Sequence, residues 1–419
     1  MEFSKFGDKF TGHSGILQLM DDLGNGVVGG KDVIMLGGGN PSYIPSVQRL
    51  FRQRMQDILE NGNEFEHLVG DYDPPGGNPA FREAIAALLN KLYGWPISSK
   101  NIALTNGSQT AFFYLFNLFA GETSQGKKKK ILMPLAPEYI GYVDAGVEED
   151  IFVAQKPQFQ FLDEHTFKYR VDFDAIQIDD SIGAICVSRP TNPTGNVLTD
   201  NEVEKLRKLA RQHNIPLIID NAYGAPFPNI IFEEVTPVWD EEIVLCLSLS
   251  KLGLPGVRTG IIVANEEIAA AISSMNAIIS LAPTSFGAGF VQEMVRSGGI
   301  MTISQELIKP YYRSLSQTAE EWVWESLTGT PFYLHKPEGA FFFWLWFKDF
   351  PISCGEIYER LKNRGVVVVP GHYFYPGLSE AWDHKGECIR VNYTAGEEKV
   401  REGIRIIGEE VKRAYSGMC

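Results

Sequence analysis

The 419-residue sequence predicts a two-domain α/β protein whose larger domain is built on a mostly parallel sheet. Two observations carry that prediction. From about residue 101, short apolar runs alternate with stretches of helical periodicity, the rhythm of parallel strands joined by covering helices. After about residue 300 the rhythm changes to long helices followed by a group of strands, as in a smaller α+β unit. The expected division is residues 1–45 as an N-terminal arm joining the small domain, 46–300 as the large domain and 301–419 as the small one.

Taken in order, the arm is rich in glycine and contains Leu36-Gly-Gly-Gly-Asn-Pro41, which lacks the strand and helix context of a dinucleotide fingerprint. It reads as a segment lying over a site. Residues 46–60 form a helix, and Gly70-Asp-Tyr-Asp-Pro-Pro-Gly-Gly77 is a turn-rich loop before an amphipathic helix from Pro79 to about Leu92. Asn101 to Thr105 is a short strand, and Asn106-Gly-Ser-Gln109 opens a helix to about Ala120. Further strands are Ile131 to Leu135, Ala184 to Val187, Ile215 to Ile219 and Ile243 to Leu247. Thr199 and Glu202 form a capping box for a helix whose Val203, Leu206 and Ala210 share one face. Thr259 to Ala264 reads as an antiparallel strand at the sheet edge. In the last third, strands are expected near Tyr333, Phe341 to Phe347, Val366 to Val369 and Ile389 to Tyr393, before a helix from about Gly396 to Ala414.

Composition narrows the function. With 44% hydrophobic and 21% charged residues the chain reads as an ordinary globular protein. A formal charge of −14 argues against a nucleic-acid partner. Cys186, Cys246, Cys354, Cys388 and Cys419 are odd in number and never spaced as Cys-x-x-Cys, which points to reduced, cytoplasmic usage. Neither a secretion signal nor an apolar run of membrane-spanning length is visible, and the seven histidines show no metal-ligand spacing, so no membrane and no metal are expected.

The chemistry gathers at the predicted strand ends, where open α/β sheets bind ligands. Ser248-Leu-Ser-Lys-Leu-Gly-Leu-Pro-Gly-Val-Arg258 puts one lysine among hydroxyls and an arginine just past an apolar strand. Alone, that segment would describe a surface lysine. Its companions reverse the reading. Gly107, Ser108 and Gln109 stand at a helix N-terminus, where free amides favour a phosphate, although Gly107 and Ser108 would also suit a simple cap. Asp220 ends an apolar strand, so its carboxylate needs a partner such as a protonated pyridine nitrogen. Tyr223 and Asn192 could donate to a ring oxygen or serve as structural turn residues, and Tyr139 offers a flat face for stacking or for core packing. Arg390, on an otherwise apolar strand, suits an α-carboxylate if buried. An amine for an aldehyde, a phosphate cup of Ser248, Ser250 and Arg258, and a carboxylate for a ring nitrogen together suit pyridoxal 5′-phosphate.

The markers run in order: the loop with Tyr72, Asn106-Gly-Ser-Gln109, Pro137-Glu-Tyr139, Asn192-Pro-Thr-Gly195, Asp220-Asn-Ala-Tyr223, Ser248-Leu-Ser-Lys251 through Arg258, Val369-Pro-Gly371 and Arg390. In that order, over nearly the whole length, they resemble the fold-type I, pyridoxal-phosphate-dependent aminotransferases of the aspartate aminotransferase superfamily. Within it, stretches such as Leu36 to Pro41, Asn106 to Phe116, Pro137 to Tyr142 and Ser248 to Gly256 are similar to the bacterial valine–pyruvate branch. The resemblance implies a homodimer and a role for each position. Lys251 would hold the cofactor aldehyde and shuttle the proton, and Asp220 would pair with the pyridine nitrogen. Tyr223 and Asn192 would meet the ring oxygen and Tyr139 the ring face. Ser108, Gln109, Ser248 and Arg258 would hold the phosphate, with Tyr72 reaching across from a second subunit. Arg390, Asn192 and the backbone near Gly39 would grip the substrate carboxylate.

Two departures stand out. Arg258 follows Lys251 by seven residues where many relatives have eight, and Arg189 stands where relatives commonly carry an uncharged residue. Arg189 reads as one half of a structural ion pair in preference to a substrate contact. The expected reaction is transamination between L-valine and pyruvate with tolerance for other small apolar amino acids, since an apolar pocket discriminates by only about 1 to 3 kcal/mol per methylene. Candidate pocket walls are Ile16, Leu17 and Tyr43. Aminotransfer from another neutral amino acid, a pyridoxal-phosphate C–S β-lyase and a non-enzymatic regulator on the same fold are the alternatives. A regulator should carry an added DNA-binding domain, and no basic helix-turn-helix is visible.

Overall fold

Two sheets, each with its own helices, organise the chain in a computed structural model that describes residues 2–12, 14, 15, 17 and 33–417. The larger sheet runs, in spatial order, Ile102–Thr105, Gly260–Val263, Ile243–Ser248, Leu217–Asp220, Ile182–Ser188, Lys128–Met133 and Gly121–Glu122, with Phe152–Ala154 also paired to Lys128–Met133. Pairing is parallel from Ile243–Ser248 across to Phe152–Ala154. Up to their last residues, Ser188, Asp220 and Ser248, its central strands are apolar because helices cover both faces of the pleat.

One strand is placed differently from expectation. Gly260–Val263 is antiparallel to its neighbours, but it lies inside the sheet, with Ile102–Thr105 paired on its outer side. All four of its residues are buried, and a strand without a polar face is better accommodated between two partners than at a wet edge.

The second sheet runs Val369–Pro370, Cys388–Asn392, Phe342–Phe347, Phe332–His335, Thr166–Arg170 and Gln158–Phe161. Its last two strands form a hairpin drawn from residues 158–170, within the 46–300 stretch of sequence. Ile34–Met35 pairs in parallel with Val366–Val367, so the N-terminal segment joins the C-terminal part of the chain. Helix Glu397–Tyr415 packs against helix Lys309–Leu327 behind this unit.

Local chemistry explains where the helices begin. Asn78 accepts a bond from Phe81 N–H, with Pro79 at the first helical position, and opens Pro79–Tyr93. Thr199 and Glu202 form a complete capping box at the start of Asp200–His213. Among the described residues no helix is long and apolar enough to cross a membrane, and no group of three or more His, Cys, Asp or Glu could hold a metal.

A buried ion pair joins the second sheet to the loop that follows Ile182–Ser188. Lys168 Nζ contacts Glu338 and donates to Val197 O at 2.8 Å, while Val197 N–H donates to Glu338 at 2.9 Å. Both side chains are almost fully buried, so removal of one charge strands the other. Glu338→Gln should therefore lower the free energy of unfolding by about 3 kcal/mol, read as a lower urea midpoint with an unchanged slope.

Candidate active site

The parallel strands deliver the chemistry by register. Ser188 and Asp220 lie side by side at the ends of two neighbouring strands, with Cys246, two residues before the end of the third, in register beside Asp220. The segments beyond them carry Asn192, Tyr223 and Lys251 into one cleft. Lys251 sits in a single helical turn, Ser250–Leu252, directly after Ile243–Ser248. Its Nζ donates to Gly39 O at 2.7 Å and lies 5.2 Å from the Tyr223 ring centre and 5.4 Å from that of Phe341. Burial, reinforced by the positive charges of Arg390 and Arg258 and opposed by Asp220, pulls its amine down to about 8. Such a lysine is partly free base near neutral pH, the form that attacks a carbonyl.

Asp220 accepts from Tyr142 Oη at 2.5 Å and from Ala222 N–H at 2.9 Å. Burial raises its carboxyl despite those donors and the positive charge of Lys251, so the site offers this acid a place for one more cationic partner. Tyr223 is buried, with its ring edge on Phe341 and Phe342, and its hydroxyl has no hydrogen-bond partner. A buried hydroxyl left unpaired costs free energy, so this one is suited to a ligand oxygen. Tyr139 is half-buried and meets Tyr142 edge to face, with ring centres 5.3 Å apart.

Arg390 lies fully inside, on strand Cys388–Asn392 of the second sheet. It donates to Asn192 Oδ1 at 2.7 Å and to Gly37 O at 2.5 Å, while its Nε has no partner. The guanidinium lies 4.3 Å from the Phe342 ring centre and 5.2 Å from that of Phe374, and burial lowers it to about 10. It remains a cation without a carboxylate among its hydrogen-bond partners. Asn192 is buried and spends its oxygen on Arg390, leaving its amide group as the donor.

The start of helix Ser108–Phe119 has the make-up of an anion cradle. Gly107 precedes it at φ +86°, with no side-chain cap on the first amides. Exposed Arg258 packs on Gly107 so closely that a β-carbon there would lie 2.2 Å from Nη2. Gly260 approaches from beneath, where a β-carbon would come 2.7 Å from Ser108 N. Gln109 Nε2 donates to Gly141 O at 2.8 Å, and Ser248 Oγ accepts from Ser250 N–H at 3.2 Å. The cradle thus combines unshared amides, hydroxyls and one guanidinium.

A family model described as aminotransferase class I and II matches residues 31–407. The chain belongs to that family. The valine–pyruvate aminotransferase of Escherichia coli K12 is 53% identical over 416 residues, covering 99% of each chain. A crystal structure of a putative amino-acid aminotransferase from Psychrobacter arcticum superposes with a TM-score of 0.97 at 47% identity, covering 99% of each chain. That of valine–pyruvate aminotransferase from Salmonella typhimurium LT2 gives 0.89 at 50%, covering 96% of this chain and 99% of that one. The architecture is therefore that of the fold-type I transferases, and this aminotransferase is an enzyme.

Several expected positions of the aminotransferase are exposed in a single chain. Tyr72 and Tyr43 are 84% and 86% exposed. Leu17 lines an open apolar groove with Phe6, Phe10, Phe113 and Ile279, while Ile16 lies outside the described residues. Gly39 accepts from Lys251 through its carbonyl, and its N–H is the group that can donate to a carboxylate. Arg189 is buried and points away, bonding Leu198 O at 2.8 Å, Thr236 O at 3.1 Å and Asp200 at 2.5 Å. It has the structural ion pair expected of it.

Residue type alone does not single out Tyr142 or Phe374. Tyr142 is one tyrosine among sixteen in the sequence, and only the fold reveals that it meets Asp220. The depressed lysine gives a direct test: a depressed pKa means that free amine accumulates as pH rises through about 8. Competitive acetylation of the apoprotein, read by mass spectrometry, should half-label Lys251 near that pH, whereas exposed lysines should require about 10.4.

Proposed function

We propose that the chain exchanges amino groups between L-valine and pyruvate, giving 3-methyl-2-oxobutanoate and L-alanine, with pyridoxal 5′-phosphate as cofactor. One observation carries the chemistry: a lysine of lowered pKa shares a cleft with an acid, an unpaired buried phenol and an arginine lacking a carboxylate partner. The substrate pair rests on the full-length likeness to the E. coli enzyme.

The residues present fit the cofactor. Asp220 would face the ring nitrogen, Tyr223 and the Asn192 amide the ring oxygen, and Tyr139 one ring face. Ser108, Gln109, Ser248, Ser250 and Arg258, with the free amides after Gly107, would hold the phosphate. When bound, pyridoxal 5′-phosphate supplies an aldehyde carbon that accepts and returns an amino group, and a ring that takes up the electron pair released at the substrate α-carbon. Lys251 Nζ removes the proton from the substrate α-carbon and holds it for return. Arg390 orients both substrates by the carboxylate they share, with Asn192 fixing the guanidinium. Tyr142 keeps Asp220 in place through its hydroxyl. The Phe341, Phe342 and Phe374 rings limit water around the charges and strengthen them.

We further infer a homodimer in which Tyr72 serves the partner's phosphate site. Its 84% exposure, and that of Ile278, Ile279 and Leu281 at 87%, 54% and 59%, suits a surface that a second copy covers. Soluble expression in the cytoplasm is the matching expectation.

The first experiment adds L-valine to purified holoprotein without acceptor, and then pyruvate, while cofactor absorbance is followed. Valine should convert the spectrum, and pyruvate should restore it as alanine appears; an unchanged spectrum with valine would rule the substrate pair out. Lys251→Ala should cut turnover by about a thousandfold or more with an unaltered circular dichroism spectrum, as expected for loss of a proton-transferring group. Sedimentation should report a dimer, and Tyr72→Phe should weaken cofactor retention in it by about tenfold, the loss of one charge-assisted bond.

A further inference from the structure

Glu138 has no role in the reaction described above, yet it lies between three parts of the site. The residue is 1% exposed. One carboxyl oxygen accepts from Ser188 N–H at 3.0 Å, and the other lies 2.6 Å from Ser188 Oγ. Ser188 is the register partner of Asp220 and the residue from which the loop to Asn192 departs. Tyr139 follows Glu138 directly, and the Glu138 N–H donates to the carbonyl of Phe374, the ring that lies against Arg390.

The surroundings of this acid are unusual in sign. Among the described residues no lysine, arginine or histidine pairs with it. The titratable groups that face it are Asp220, Tyr142 and Cys186, all of which gain negative charge when they ionise. An ionised Glu138 would put a second carboxylate beside Asp220 in a dry site with no cation of its own paired to it among the described residues, an arrangement that favours retention of a proton.

We propose that Glu138 is a positioning residue of the cofactor site that works as a neutral carboxylic acid, fixing Ser188 and the segments carrying Asp220 and Asn192 while leaving Asp220 the sole negative charge there. The proposal rests on the reading of the cleft as a pyridoxal-phosphate site. Burial, with Asp220 adding to it, pushes the Glu138 carboxyl up to about 8 against the Ser188 bonds, so the acid is neutral at pH 7. Its proton bonds the Ser188 hydroxyl and its carbonyl oxygen accepts from the Ser188 amide. Glutamine reproduces both contacts, whereas alanine reproduces neither.

The test begins with the apoprotein and so does not depend on cofactor binding. Infrared spectra at pH 7 should show a protonated-carboxyl band that is lost in Glu138→Gln. A carboxyl whose folded pKa is raised stabilises the fold relative to its ionised state below its unfolded value, and that stability is lost as pH rises through the folded value. The urea midpoint of the wild type should therefore fall relative to Glu138→Gln between about pH 5 and pH 8, and the difference should then level off. Pyridoxal phosphate is added next: at pH 7 Glu138→Gln should keep its dissociation constant within about threefold, while Glu138→Ala raises it about tenfold or more. Should Glu138→Ala unfold, Ser188→Ala replaces it in that comparison. A band unaffected by Glu138→Gln, a pH-independent stability difference, or equal damage from the glutamine variant and its comparator would overturn the proposal. Failure of the wild type to take up pyridoxal phosphate with the band present would overturn the reading of the cleft and leave the neutral acid standing, so the two failures separate.

Discussion

Arg390 holds together three segments that the chain order keeps far apart. It rises from the second sheet, bonds Asn192 on a loop of the first, and bonds Gly37 in the glycine-rich segment beside the N-terminal strand. Asn392, two residues on and on the same face of the strand, reaches Gly38 O at 2.6 Å. A guanidinium removed from water must have its donors met, and the segments that meet them become the walls of the cleft. The unpartnered Nε leaves this buried cation incompletely satisfied, which suits an arginine that awaits an anion.

The same logic runs through the cleft. Lys251, Asp220 and Arg390 are charged or chargeable groups crowded by protein, and each has fewer counter-charges than its burial calls for. Their perturbed proton affinities follow from desolvation first and from one another second. A lysine near 8 is a consequence of that crowding, and it is also what proton transfer at an α-carbon requires. In this way the large sheet contributes more than scaffolding. Its parallel register lines up Ser188, Asp220 and Cys246, so the segments leaving neighbouring strand ends converge without any long loop.

Local signals made much of the architecture legible. Asn78-Pro79 and Thr199 with Glu202 mark helix starts because a cap is satisfied within four residues of chain. Apolar runs such as Ile243 to Leu247 mark strands because both faces are covered. Pairing was less accessible. The Gln158–Phe161 and Thr166–Arg170 hairpin joins the C-terminal sheet, and Gly260–Val263 lies inside its sheet, because a strand's partners are chosen by contacts far away in sequence.

The sequence by itself determined which residue types stand at the strand ends: a lysine between serines, an acid after an apolar run, and an arginine on an apolar strand. Those facts are local, and they narrow the chemistry because few cofactors need that set. Only the tertiary structure decided which groups share one cleft and which are spent elsewhere. It turned Arg189 onto Asp200, set Tyr142 on Asp220, and enclosed Glu138 with no cation paired to it among the described residues. Proton affinity and hydrogen-bond completion are set by neighbours within a few ångströms, and in a folded chain those neighbours come from segments the sequence keeps dozens of residues apart.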